Sequence, residues 1–177
     1  MKMLLAAVCL TAFVTPLAFA ESKIELDAKV QEARSTFAKH TSAGAELAAK
    51  AHGVLVVPSV IKAGFGVGGE YGEGALLIGG KTAGYYNIAA ASIGLQLGAQ
   101  ARSEIILFMT AEALRNFRES QGWKAGVDGS VALATLGAGG SIDTDTAKKP
   151  IIGFIFSGKG LMYNLTFEGS EITKVGK

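Results

Sequence analysis

Cysteine is nearly absent from this chain of 177 residues: the single one, Cys9, falls within the first twenty. A thiol nucleophile, a cysteine-based metal site and a disulfide framework are therefore not expected in the remainder. Histidine is as scarce. His40 and His52 stand twelve residues apart with no third partner, so no zinc site can be assembled from them. Charge is also thin, and the chain is close to neutral, with 17 basic residues against 15 acidic. Such a balance gives no overall field to draw nucleic acid. From Val54 to Gln100 there are only four charged side chains, Lys62, Glu70, Glu73 and Lys81. That stretch offers no nucleophile–base pair and no metal-ligand cluster, which points to binding and away from catalysis.

What is present begins with a leader-like segment. MKMLLAAVCLTAFVTPLAFA has one early charge at Lys2, an apolar run from Met3 to Val14, then Pro16 and an Ala18-Phe19-Ala20 ending. This order reads as a secretory signal at residues 1–20 with cleavage after Ala20. The apolar run is short of the ~20 residues a membrane span needs. Cys9 has the bulky Val8 before it and reads as an apolar residue of the signal, not as a lipidation site. Removing the segment leaves 16 basic side chains against 15 acidic. Residues 21–177 then fit one domain, long enough to bury a core without staples.

The two parts of that domain differ in texture. Leu26, Val30, Ala33 and Phe37 recur at helical spacing and predict an amphipathic helix from Ile24. A second helix is expected over Ala43–His52, with Ser42 as its N-cap and Gly53 as its end. Both read as helices covering a sheet. Their polar faces are mixed in sign, unlike the basic face of a membrane-surface helix.

After Gly53 the period changes to two. Short strands are expected at Val54–Val57, closed by Pro58, and at Ala63–Glu70, where Gly64, Gly66 and Gly68 allow a sharp bend. Ala75–Ile78 follows, then the Gly79-Gly80 turn and a strand near Tyr85–Ile88. Ser92–Met109 alternates, with Ile93, Leu95, Leu97, Ile105 and Leu107 on one face and Gln96, Gln100, Arg102 and Glu104 on the other. That pattern predicts a half-exposed antiparallel strand. One straight strand there would run roughly 60 Å at ~3.3 Å per residue, so a break is expected near Gly98 or at Arg102-Ser103.

Thr110 reads as the N-cap of a helix over Ala111–Ser120, with Leu114 and Phe117 inward. Strands are expected again at Trp123–Val127, Ser130–Leu136, Ile151–Ser157 and Leu161–Phe167, with Gly158-Lys159-Gly160 as a hairpin turn. Asp143–Pro150 reads as a polar loop. The fold class is α+β: a curved, barrel-like antiparallel sheet, packed by the N-terminal helices and one internal helix.

Sharper motifs fail on context. Gly64-x-Gly66-x-Gly68-Gly69 lies inside a strand pattern, not between a strand and a helix as a dinucleotide loop requires. Asp143-x-Asp145 lacks the Gly and Glu of a calcium loop. No serine has a G-x-S-x-G setting. The uncharged run Thr82–Ala101 has the length of a span, but its alternation and Asn87, Gln96 and Gln100 speak against a membrane helix. An outer-membrane barrel is not favoured either, because helices open the domain and aromatic girdles are missing.

Four stretches carry a further signal: VLVVPSVIKAGFGVGGEYGEGALL, GYYNIAAASIGLQLGAQARSEIILFMT, the segment around GWKAGVDGSVAL, and IIGFIFSGKGLMYNLTFEGSEI. Together they closely resemble the SYLF domain family over nearly all of residues 21–177. The family includes eukaryotic proteins that bind phosphoinositide membranes and, in one branch, actin filaments. It also includes stand-alone secreted bacterial members described as lipid-binding proteins, and this chain resembles the latter. The resemblance implies a non-catalytic phospholipid-binding protein, periplasmic or secreted, without a cofactor or metal. An exported bacterial chain would not meet actin in its own compartment.

Binding an amphiphile requires apolar surface beside cations. The candidate cations are Lys62, Lys81, Lys124, Lys159 and the adjacent pair Lys148-Lys149. Arg102 shares a strand face with Glu104 and is expected to pair with it. Candidate apolar contacts are Phe65, Tyr85, Tyr86 and Trp123, for which core packing is the competing role. Two other readings stand beside this one. A glycine-rich sheet can act as a structural or protein-interaction module of the cell envelope through its edges. A lipid-acting enzyme would need two of Glu70, Glu73, Glu104 and Asp128 to converge, and no spacing argues that they do.

Overall fold

The structure, a computed structural model, describes residues 21–94, 100–163 and 165–177, with side chains described except at 63–67, 92–94 and 100. The export signal expected at residues 1–20, the break expected near Gly98 and the Phe65 side chain lie outside that description. Two helices come first, α1 (Lys23–His40) and α2 (Ser42–Lys50), and then three strands, β1 (Gly53–Ile78), β2 (Lys81–Gly94) and β3 (Gln100–Phe108). Next come α3 (Ala111–Glu119), β4 (Trp123–Lys124), β5 (Ala132–Leu133) and α4 (Thr144–Ala147). The chain ends with β6 (Ile151–Ser157), β7 (Gly160–Leu161) and β8 (Glu171–Val175). The strands form one strongly curled half-barrel sheet in the order β4-β8-β2-β1-β3-β6-β5, with β7 beside β6. The α+β expectation holds. The sheet is mixed, not purely antiparallel, because β5 runs parallel to β6.

The long first strand positions everything else. At ~3.3 Å per residue its 26 residues would reach roughly 85 Å if straight, so it doubles back. The arm from Gly53 to Lys62 pairs with β3, and the arm from Gly66 to Ile78 pairs with β2. The arms meet at Gly72 and Gly74. A Cβ on Gly72 would stand 2.6 Å from the Ser59 carbonyl oxygen, and one on Gly74 would strike the Val56 carbonyl. Only glycine allows backbones this close. The expected strand end at Pro58 is therefore a bulge: pairing with β3 shifts register between Val57 and Val60, and the chain continues. Pro58 has no N–H to lose there, and the Ser103 hydroxyl donates to its carbonyl at 2.8 Å.

Helix α1 follows its sequence pattern. Leu26, Val30, Ala33 and Phe37 are its buried residues, the Ser22 side chain accepts from the Glu25 N–H, and Lys39 and His40 complement the dipole at its last turn. For α2 the cap is Thr41, not Ser42: its extended backbone lets its hydroxyl accept from the Gly44 N–H. In α3, Thr110 caps, and Leu114 and Phe117 are buried, as expected.

Both faces of the sheet are covered. One carries α1 over Val56, Leu77, Ile105, Leu107, Phe154 and Phe156. The other carries α3, Trp123, Val131 and Phe167 over Leu55, Val57, Ile106, Phe108, Ile151 and Ile155. Hence β3 is buried on both sides from Glu104 to Phe108, which corrects the half-exposed reading of that strand. No break occurs at Arg102-Ser103, since β3 is continuous there.

The C-terminal half departs further from expectation. The proposed strands at Trp123–Val127, Ser130–Leu136 and Leu161–Phe167 shrink to two-residue β4, β5 and β7, because tight turns and irregular chain pack their side chains instead. The polar loop holds the one-turn α4, capped by the Asp143 carboxylate. Residues 21 and 177 end up together: the Glu21 N–H and the Lys177 ammonium both reach Glu73 Oε2, at 3.2 and 2.7 Å.

Candidate functional site

The groove with the best apolar floor lies on the α3 face. Pairing of Phe108 with Ile151 brings the end of β3 to the start of β6. The next residue, Met109, donates its N–H to the Pro150 carbonyl at 2.8 Å. The first turn of α3 therefore stands beside residues 149–151, although some forty positions separate them in sequence.

The third wall is the turn after β4. The Val127 and Asp128 N–H groups both bond to the Lys124 carbonyl, and the Asp128 carboxylate accepts from the Lys124 N–H at 2.7 Å. Gly126 in this turn has φ +88°, a conformation in which glycine is strongly favoured. Gly129 then lies against the indole: a Cβ there would sit 2.7 Å from Trp123 Cζ2 and 3.2 Å from Ile151 Cδ1.

These three walls enclose about 380 Å³, within the range of small-ligand sites. Trp123, Ala113, Ala132 and Ile151 form the floor; Thr110, Glu112, Asn116, Asp128 and Lys149 are on the rim. Trp123 is 2 % exposed and held by Phe117, at 5.8 Å between ring centroids in an edge-on arrangement. Beside the groove, Val127 is 80 % exposed at the tip of its turn.

A second polar cluster ties the folded strand together. Arg102 bonds Glu104 Oε1 through Nε at 2.9 Å and Glu70 Oε2 through its terminal nitrogen at 2.5 Å, while Lys62 stands 3.3 Å from Glu70 Oε1. The two carboxylates thus converge, which the spacing gave no reason to expect. They converge on a guanidinium, and Glu104 is 1 % exposed. Burial pushes the Glu104 carboxyl up, against the pull of Arg102. Its Oε2 is buried with no hydrogen-bond partner among the described residues. Burial also pushes Glu70 up, but Arg102 and Lys62 prevail and hold it below its ordinary value. The cluster links both arms of β1 to β3 and reads as a cross-strand staple.

The candidate residues distribute as follows. The groove takes in Trp123 and Lys149. Lys148 adjoins Lys149 and is exposed. Lys62 is drawn into the Glu70 cluster, and Lys124 stands 4.0 Å from Glu171 on the surface. Lys81 and Lys159 are exposed on the β1–β2 and β6–β7 turns. Tyr85 is buried under α1, its hydroxyl donating to Asp27 at 3.0 Å. Tyr86 packs on Phe117 at 4.9 Å between centroids in the other core. Sequence reasoning missed Thr110, Glu112 and Asn116 as rim residues. The cap at Thr110 marked the helix start, but nothing local said what would face it. Among the described residues no group of three metal-ligating side chains occurs, and no helix is long and apolar enough to cross a membrane.

Comparison with known proteins adds one family. No curated protein sequence matches the chain. Residues 89–176, from within β2 to β8, match the family model Ysc84, described as "Las17-binding protein actin regulator". With that match, and the curled α+β sheet in which it lies, the chain belongs to the SYLF (Ysc84) family, a family of binding-type domains.

Proposed function

We propose that this chain is a non-catalytic phospholipid-binding protein that acts at a membrane surface, in the periplasm or outside the cell. The observation that carries the reading is the groove of about 380 Å³ with its Trp123 floor and Lys149 rim, beside the exposed Val127. An apolar floor accepts the first methylenes of an acyl chain, worth ~0.8 kcal/mol for each one buried. A lysine at the mouth meets the phosphate. Val127 on its turn supplies an apolar tip to enter the interface. Against catalysis, Glu104 is sealed from solvent and Glu70 is held by two cations, so neither carboxylate is free to move a proton to a ligand.

Vesicle co-sedimentation at low salt tests this. The protein should pellet with phospholipid vesicles, and Val127→Asp with Trp123→Ala should abolish the effect while circular dichroism stays folded. Failure of the unaltered protein to pellet with any vesicle overturns the reading. The second reading, a protein-interaction module, draws on the family description, which names a protein partner. Such a module would leave vesicles alone and be captured from envelope extracts with a defined partner.

A further inference from the structure

We infer that the groove selects a zwitterionic headgroup, a phosphate ester carrying an ammonium, over a purely anionic one. This inference rests on the phospholipid reading and concerns the same site. Its basis is the sign of the charges at the rim. Lys149 is the one basic side chain among the lining residues, while Glu112 and Asp128 are both acidic. With all three ionised the rim has an excess of one negative charge. A headgroup with only a phosphate would satisfy Lys149 and meet two carboxylates, an unfavourable pairing at close range. An ammonium a few bonds from the phosphate answers them.

The placement of the groups suits such a ligand. Glu112 lies in the first turn of α3 and Lys149 just before β6, so they approach the groove from different elements. The Thr110 hydroxyl accepts from the Ala113 N–H and keeps its own proton to donate to a phosphate oxygen. Asp128 has one oxygen engaged by the Lys124 N–H at 2.7 Å, which fixes the carboxylate and leaves the other oxygen to face the positive charge of an ammonium. Glu112 has no ion-pair partner among the described residues. The lysines remote from the groove, Lys81 and Lys159, play no part in this selection.

The test uses the full protein with vesicles of phosphatidylcholine, of phosphatidylcholine with phosphatidylethanolamine, and of phosphatidylglycerol. Both zwitterionic vesicle types should bind more tightly than phosphatidylglycerol. Glu112→Gln should shrink that preference by about two- to fivefold, the worth of one exposed ion pair. Lys149→Gln should weaken binding to all three. Glu112 is exposed, so its variant folds and the comparison stays interpretable. A preference for phosphatidylglycerol, or an unchanged preference in Glu112→Gln, overturns the headgroup inference and leaves the phospholipid reading standing. Binding of soluble phosphoethanolamine without binding of any vesicle overturns the lipid source. No binding in any arm overturns both readings.

Discussion

The two faces of the sheet are closed in different ways. One is covered by α1, a regular helix of 18 residues that presents Leu26, Val30, Ala33 and Phe37 in register to the strands. The other is covered piecemeal, by the nine-residue α3 with two buried side chains and by Trp123, Val131 and Phe167 from irregular chain. Side chains on a regular helix interdigitate along its whole length. Pieces delivered by separate turns leave gaps where they meet, and the groove beneath α3 is such a gap. The contrast teaches that here the face proposed to bind is the irregularly closed one, with the glycines and polar caps needed to hold its pieces.

The largest effects should come from the aromatic side chain at the centre of each face. Phe117→Ala removes contacts with Phe108 and Tyr86, and Phe37→Ala removes those with Phe154 and Phe156. Each should cost about 3–5 kcal/mol in urea unfolding. Of the folded variants, only Phe117→Ala should also weaken vesicle binding, since Trp123 loses its support. Equal loss of binding in both would erase the functional difference between the faces.

Adding a single methyl group is a finer probe. At Gly153 it would drive into the Phe167 ring and come within 2.7 Å of Val131 Cγ1. Overpacking of this kind costs about 1–3 kcal/mol. At Gly44 the new methyl meets Thr41 and Phe37 at 2.6 and 2.7 Å, but alanine gains about 1 kcal/mol of helix propensity there. Gly44→Ala should therefore lower the unfolding midpoint less than Gly153→Ala. The opposite order would show that the irregular face yields more readily than the helical one.

How much of this could be read from the chain follows the same division. The four inward residues of α1 and the Thr110 cap were legible, because both depend on neighbours within a turn of helix. So was the curvature of a glycine-rich sheet. The fold-back of β1 was only half legible. The alternating glycines at 64, 66 and 68 stand out in the sequence, whereas Gly72 and Gly74 admit the opposite arm, and no local pattern says which backbone will arrive. The β8 strand is not legible in the sequence: Glu171–Val175 is short and polar, and it is a strand only because β2 and β4 flank it. At the site, Trp123 and Lys149 were both named, but they meet only through the pairing of β3 with β6.

The smallest effect is a slope. In the unfolded chain Glu104 ionises at about 4.3, and burial raises that value in the fold. The unfolded state gives up its proton first, so the contribution of Glu104 to stability falls as pH rises between the two values. Replacing it by Gln should flatten that fall in urea midpoints measured from pH 4 to 9. An unchanged slope would mean that Arg102 compensates the buried carboxylate fully.

The meeting of Glu21 and Lys177 at Glu73 also bears on how this unit can be used. A unit in which residues 21 and 177 lie together can be spliced into a surface loop of a host protein without prising that loop apart. The groove under α3 would then travel with that unit into its host.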